Sequence, residues 1–235
     1  MVSMAWIARL SVAGPNGPST PRRSGARVIA VVLQFWFEFA STYTYPAAMR
    51  VEKAAQNAGV DLEYCPFLLG PIFAEQGWKD SPFNIYPAKG RYMWRDLERL
   101  CAGLSLPFRK PTVFPRNGLL AARVATIGRN QAWGRAFVRG VFHANFADDR
   151  DIASADVISA VLEGVGQEPN AVLARAASQE IKQELRGRTE AAQSLGIFGA
   201  PSFVVDGELF WGNDRLEMAL DFARNRAQRR GSARG

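Results

Sequence analysis

A serine stands where a predicted strand turns into a predicted helix. Apart from Glu38, residues 35–40 are apolar and mostly aromatic, as in a buried strand, and Pro46 suits the first turn of the helix that follows. A helix N-terminus favours negative charge, and the hydroxyl of Ser41 can donate a hydrogen bond to an anion placed there. Serine is also a preferred helix cap, and the local sequence alone favours that simpler role.

A second group of candidates lies near the other end of the chain. Asn213 and Asp214 begin the last predicted helix, where both residue types are good caps and an acid suits the first turn. A carboxylate at this place is also a natural partner for an ammonium group on a ligand. Pro201 follows Ala200 just before a short predicted strand, and a trans proline in a turn is its simplest interpretation.

Few residues of the chain could form a metal site, a redox thiol pair or a Ser-His-Asp triad. Cys65 and Cys101 are far apart and in no metal or redox spacing, so we expect two plain core thiols in a reducing compartment. His143 is the only histidine, which leaves a zinc site almost without ligands. Because His143 lies in what reads as the side of a helix, a Ser-His-Asp triad is also disfavoured. We therefore expect no metal.

The net charge of +7 comes from the two ends of the chain. Nine of the 29 basic residues are arginines that precede Glu38 or follow Asp221, which leaves 20 basic against 22 acidic residues between them. This balance gives no reason to expect a nucleic-acid partner. No apolar run approaches the ~20 residues that span a bilayer, so no membrane partner is expected.

The order of elements predicts an α/β fold with a large helical insertion. Residues 1–27, rich in Gly, Pro, Ser and Arg, are predicted to be a disordered leader. A discontinuous domain of strands and helices takes residues 28–70 and 181–225, and the mostly helical insertion takes residues 71–180. About residues 71–90 of the insertion are expected to be loop-like. Asp206-Gly207 between two short apolar runs is a strong hairpin signal. Residues 226–235 are predicted to be a basic, flexible tail.

Three ordered segments of the chain carry a resemblance to a known family: Phe37-Glu38-Phe39-Ala40-Ser41, Gly199-Ala200-Pro201-Ser202 and Phe210-Trp211-Gly212-Asn213-Asp214-Arg215. Together they resemble the 2-hydroxychromene-2-carboxylate isomerases and kappa-class glutathione transferases. These enzymes belong to the DsbA-like branch of thioredoxin folds, and the resemblance covers about residues 31–222. Thioredoxin-like proteins carry Cys-x-x-Cys at the first strand-to-helix corner, whereas this chain has Ser41 and Thr44.

The resemblance implies glutathione as the cofactor, with the thiol arriving on the ligand. Ser41 would stabilise the glutathione thiolate without attacking anything itself. Pro201 would be cis, so that the backbone of Ala200 could pair with the cysteinyl backbone of glutathione. Asp214 would bind the γ-glutamyl ammonium group. The complete set of implied cofactor-binding residues is Ser41, Tyr43, Ala200, Pro201, Gly212, Asn213 and Asp214.

The substrate side is expected to involve Trp78, Asn84, Arg116 and Asn117. The two asparagines lie in segments that resemble substrate-contacting loops of the family, and the arginine could bind a substrate carboxylate. The chain departs from the family at Thr42, where proline is usual, and at Trp78, where isomerases tend to have asparagine. The second departure leaves the substrate open.

The resemblance predicts a glutathione-dependent cis–trans isomerase that acts on a small aromatic acid in the breakdown of aromatic compounds. Its implied setting is the cytoplasm and its implied assembly a homodimer. A kappa-like transferase that conjugates glutathione to electrophiles is the nearest alternative. A third is a module that binds glutathione or a peptide without turnover.

Overall fold

The computed structural model describes residues 31–232, so the predicted leader lies outside the described residues. The strands are β1 (Val32–Phe37), β2 (Asp61–Pro66), β3 (Ser202–Val205) and β4 (Glu208–Trp211). The helices are α1 (Thr44–Ala58), α2 (Leu69–Glu75), α3 (Pro82–Ile85), α4 (Pro87–Gly103), α5 (Leu119–Gly128), α6 (Gly134–Phe146), α7 (Ala155–Gly164), α8 (Pro169–Ala176), α9 (Gln179–Ser194) and α10 (Leu216–Ser232). This mixed α/β architecture with helices inserted between β2 and β3 is the predicted thioredoxin-like fold.

The strands form one sheet in the order β2-β1-β3-β4. β1 runs parallel to β2 and antiparallel to β3, which places Phe35 opposite Phe203. The β3–β4 hairpin turns at Asp206 and Gly207, both with positive φ, as the Asp-Gly signal predicts. Because β1 is central, the corner at its carboxyl end lies beside the segment that enters β3.

Both faces of the sheet are buried. Phe35 and Phe37 belong to a large core that also contains α1, α10 and the inserted helices α5, α6 and α7. Trp36 points to the opposite face, into a smaller core under α2 and α9. The period of two in β1 is thus confirmed, and the insertion shares its core with the sheet. The division of the chain at residues 71 and 180 stays a prediction.

α1 ends where the sequence predicts, whereas residues 71–90 differ from their predicted structure. Gly59 adopts the left-handed conformation after α1, with φ of 64°. Residues 71–90, expected to be loop-like, instead contain most of α2, all of α3 and the start of α4. Pro82 and Pro87 each occupy the first turn of a helix, where a missing N–H costs nothing.

The basic tail is helical as far as it is described, and its flexibility stays a prediction. α10 continues through residue 232, because arginine, alanine and glutamine are good helix formers. Arg226 lies over the ring of Phe222, and Arg230 pairs with Asp206 at 2.8 Å. Within residues 31–232, no helix combines the length and the apolar character needed to cross a membrane.

Candidate functional site

The strand-to-helix corner holds Ser41 against the segment that precedes β3. The Oγ of Ser41 donates a hydrogen bond to the carbonyl oxygen of Ala200 at 2.8 Å. The peptide bond between Ala200 and Pro201 is cis, as expected. α1 begins at Thr44 with Tyr43 as its N-cap, and no side chain caps it. The simpler interpretation of Ser41 as the helix cap is therefore wrong.

The residues after Ser41 fix the corner to α4. The hydroxyl of Thr42 is buried and donates to the Sδ of Met93 at 3.0 Å. The hydroxyl of Tyr43 donates to the Oδ2 of Asp96 at 3.1 Å. Burial, and then the charge of Asp96, raises the pKa of Tyr43 above its usual value. The hydroxyl of Tyr43 is thus neutral and engaged within the protein, and Tyr43 stays a proposed glutathione contact.

A carboxyl group lies directly behind the corner. The Oε2 of Glu38 accepts a hydrogen bond from the backbone N–H of Ala40 at 2.9 Å. Burial raises the pKa of Glu38 from 4.5 to about 7, although the backbone amides of Ala40 and Ser41 oppose that rise. One signal in the sequence points to this group, since Glu38 is an acid directly after a strongly apolar strand.

The segment with the cis proline, residues 199–201, contacts the residues that lead into α10. The amide of Gly212 donates to the carbonyl of Pro201 at 2.9 Å. The φ of Gly212 is 117°, which only glycine adopts readily, and a Cβ there would lie 2.5 Å from an Oδ1 of Asp214. The Asp214 side chain is 71% exposed and pairs with Arg215 at 2.8 Å. Its carboxylate can therefore receive a cationic group from solvent.

Asn213 differs from its neighbour. It is buried, and its Oδ1 accepts hydrogen bonds from Nε and Nη2 of Arg50 at 3.2 and 3.1 Å. This contact joins α1 to the start of α10. The Oδ1 of Asn213 is engaged by Arg50, so this oxygen is not available to a ligand, and Asn213 stays a proposed glutathione contact.

Two of the four predicted substrate residues flank the corner. Asn84 follows Phe83, whose ring lies 6.2 Å from that of Tyr43, and donates to the carbonyl of Phe114 at 3.2 Å. Asn117 accepts from the amide of Leu119 at 2.9 Å, just before α5. Both asparagines are exposed. They remain proposed substrate contacts.

The other two predicted substrate residues, Trp78 and Arg116, contact side chains of the protein itself. The ring of Trp78 packs against that of Phe73 at 5.4 Å, within the α2–α3 connection. Arg116 is 7% exposed, and its guanidinium donates to Asn145 and pairs with Asp149. The expectation that Arg116 binds a substrate carboxylate is corrected, because these buried contacts already engage its donors.

Asn145 gives Arg116 a different role. The Nδ2 of Asn145 donates to the carbonyl of Phe39 at 3.1 Å, and its Oδ1 accepts from Arg116 at 3.1 Å. Asp149, in turn, accepts from the amide of Thr112, a contact that together with Arg116 lowers the pKa of Asp149. The network holds the corner from the side opposite the proline segment.

The protein's own thiols take no part in the site. Cys65 and Cys101 are free and buried on β2 and α4. Burial raises the pKa of both, that of Cys101 to about 11, so neither forms a thiolate readily. A thiolate at the corner must come from a ligand.

A family model described as the DSBA-like thioredoxin domain matches residues 32–223. The chain belongs to this family. It is 30% identical over 186 residues to a 2-hydroxychromene-2-carboxylate isomerase of Sphingobium xenophagum, covering 79% of this chain and 94% of that protein. It is 29% identical over 182 residues to the glutathione S-transferase kappa 1 of Homo sapiens, covering 68% of this chain and 76% of that protein.

A solved structure extends the comparison to three dimensions. A 2-hydroxychromene-2-carboxylate isomerase superposes with a TM-score of 0.76 at 25% identity, covering 87% of this chain and 99% of that one. Within the DSBA-like family, the chain is thus related to isomerases and kappa glutathione transferases. The serine corner and the cis proline segment are the parts of the fold on which a functional proposal can be built.

Proposed function

We propose that this protein is a glutathione-dependent cis–trans isomerase of the 2-hydroxychromene-2-carboxylate isomerase type, acting in the breakdown of aromatic compounds. One observation carries the proposal. A serine hydroxyl, and no cysteine, stands before α1 within 2.8 Å of the residue that precedes a cis proline. The relatives named as isomerases at 27–30% identity support the same reaction class.

The residues at the corner fit glutathione. The exposed carboxylate of Asp214 would bind the γ-glutamyl ammonium group, and the backbone of Ala200 would pair with the cysteinyl unit. Ser41 would turn its hydroxyl hydrogen from Ala200 toward the sulfur and stabilise negative charge there, helped by the N-terminus of α1. Bound glutathione would supply a thiolate that adds reversibly to the conjugated double bond, allows rotation about it and leaves again.

Measuring the interconversion of 2-hydroxychromene-2-carboxylate and its isomer trans-o-hydroxybenzylidenepyruvate tests the proposal. We expect turnover to require glutathione, and Ser41→Ala to lower it about 100-fold, the scale lost with one stabilising donor. Ser194→Ala, which removes an exposed hydroxyl on α9, is the matched control and should leave turnover unchanged. Equal turnover in wild type and Ser41→Ala would contradict the role given to Ser41.

The kappa-class relatives favour a transferase as the second candidate. The two activities differ in the fate of glutathione, which an isomerase returns unchanged and a transferase leaves in a stable thioether. Mass spectrometry of reactions with an electrophilic chloronitrobenzene would detect such a conjugate. Glutathione binding without either activity would favour the non-catalytic module.

The proposal includes a cytoplasmic homodimer. The two buried free thiols suit a reducing compartment. Light scattering on the purified chain measures the assembly, and a mass near 26 kDa, that of one chain, would contradict the dimer.

A further inference from the structure

The side chain of Arg50 joins α1 to the residues that lead into α10. Its Nε and Nη2 donate to the Oδ1 of Asn213 at 3.2 and 3.1 Å, and Nη2 also donates to the backbone carbonyl of Asn213. Its Nη1 pairs with Glu217 in the first turn of α10. Arg50 therefore links the helix that follows the Ser41 corner to the turn that carries Asp214.

The contact with Arg50 determines how the amide group of Asn213 is oriented. A guanidinium only donates hydrogen bonds, so the amide atom that faces it is the oxygen. The Nδ2 of Asn213 forms no hydrogen bond among residues 31–232 and still reaches the surface, although the residue is only 6% exposed. Asn213 thus keeps one free donor, directly before Asp214 with its exposed carboxylate.

The backbone around Asn213 is also fixed. The amide of Gly212 donates to the carbonyl of Pro201 at 2.9 Å, and the carbonyl of Gly212 accepts from the amide of Arg215 at 3.1 Å. The contact between Arg50 and the carbonyl of Asn213 adds a third hydrogen bond, from α1. The position of this turn therefore depends on a side chain that is 163 residues away in the sequence.

We propose that Arg50 is a positioning residue for the γ-glutamyl end of glutathione. The inference rests on the proposed function, because it requires glutathione at the corner. The γ-glutamyl unit carries an ammonium and a carboxylate group on one carbon atom, so it needs an acceptor and a donor side by side. Asp214 supplies the acceptor, and Asn213 supplies the donor while Arg50 holds its Oδ1. Without Arg50, the amide is free to turn its oxygen toward the carboxylate and repel it.

The guanidinium group acts here through its shape as well as its charge. The ion pair with Glu217 is a separate contact, and the Glu217 side chain is 64% exposed, so this pair contributes little. Two nitrogens of the guanidinium reach the same amide oxygen, which the single ammonium group of a lysine does not reproduce. Orientation and charge can therefore be separated by substitution.

Titration calorimetry with glutathione tests the inference on a double-mutant cycle of wild type, Arg50→Met, Asn213→Ala and the variant with both changes. We expect Arg50→Met to weaken binding about tenfold, the scale of one hydrogen bond to a charged group. In the Asn213→Ala background, the same change should weaken binding by less than about twofold, because the amide that Arg50 orients is gone. Losses that simply add would overturn the inference.

Three further variants serve as controls. Glu217→Gln removes the ion pair but keeps the contacts with Asn213, so its affinity for glutathione should match that of wild type. Arg224→Met, which removes an exposed arginine on α10, should also match wild type. Arg50→Lys keeps the charge and should bind about as weakly as Arg50→Met, so it replaces that variant if Arg50→Met does not fold. Wild-type affinity in Arg50→Lys, or a tenfold loss in Glu217→Gln, would overturn the role given to orientation.

The thiol end of glutathione separates a local effect from a general loss of the site. At saturating glutathione, the ultraviolet thiolate band of Arg50→Lys should equal that of wild type, because Ser41 and Ala200 are unchanged. A band that is lost even at saturation would contradict a role limited to the γ-glutamyl end. If glutathione does not bind wild type, the proposed function fails, and this inference fails with it. If glutathione binds wild type and Arg50→Lys equally, the inference alone is overturned.

Discussion

The hydroxyl of Ser41 joins the strand-to-helix corner to the cis proline segment by a hydrogen bond. This bond determines where the hydroxyl lies when a ligand arrives. In the protein alone it donates to the carbonyl of Ala200 at 2.8 Å and leaves α1 uncapped. A hydroxyl can change its acceptor by rotating about one bond, at little cost. In the proposed reaction, Ser41 would therefore be a donor already held in place for an anion at the helix N-terminus.

Asp214 provides a prediction for the other end of the ligand. Asp214→Asn removes the charge that pairs with the γ-glutamyl ammonium group, so glutathione should bind about tenfold more weakly, a loss of about 1.4 kcal/mol. The melting temperature should hardly change, because the side chain is 71% exposed. Calorimetry and thermal unfolding measure the two effects. Asp221→Asn, on the surface of α10, is the control, and an unaltered affinity in Asp214→Asn would make Asp214 merely a residue of the turn.

Glu38 also predicts how stability depends on pH. Its pKa rises from 4.5 to about 7 on folding, so the folded state holds the proton more tightly than the unfolded chain. Its contribution to stability is fully present below about pH 4.5 and is lost as the pH rises through about 7. Between pH 5 and pH 8, wild type should lose stability relative to Glu38→Gln in urea unfolding. Parallel pH curves for the two proteins would contradict the raised pKa.

At the scale of elements, the corner is held from two sides. β3 and its cis proline segment lie on one side, and α6 with the Arg116 network lies on the other. Two elements distant in sequence thus fix the backbone before α1. This explains how the corner can keep its geometry without a disulfide or a capping side chain.

Asn145 tests that account. Asn145→Ala leaves the buried carbonyl of Phe39 without its donor and Arg116 without one acceptor, so we expect a loss of about 1–3 kcal/mol in the free energy of unfolding. Urea denaturation measures it. Asn170→Ala, at an exposed position in α8, should stay within about 0.5 kcal/mol of wild type. A similarly small effect for Asn145→Ala would mean that the network does not hold the corner.

Local sequence signals predicted the elements around the sheet well. The alternation in β1, Gly59 after α1 and the Asp206-Gly207 turn each have a local cause that can be read without the fold. The prediction of loops for residues 71–90 is wrong because a proline breaks a helix only from within, whereas Pro82 and Pro87 lie in first turns. Whether a proline begins a helix depends on the residues that pack against that helix later.

At the scale of the whole molecule, the site could be predicted only in part. Ser41, the cis bond at Pro201 and the exposed Asp214 follow from the resemblance, because the motifs fix which strand ends meet. Arg116 was misassigned and Asn145 was missed, since their roles depend on contacts between residues 29–106 positions apart. The room for the Glu38 carboxyl group likewise depends on Gly118, which lies directly before α5. Side-chain partners across such distances are set by packing and not by local pattern.

The central claim is that the corner binds glutathione as a thiolate through Ser41. Calorimetry of wild type and Ser41→Ala with glutathione, combined with the ultraviolet absorbance of the thiolate, tests it most directly. The account predicts micromolar-to-millimolar binding by wild type, with a thiolate band at neutral pH that Ser41→Ala loses. No binding to wild type, or an equal thiolate band in Ser41→Ala, would contradict it.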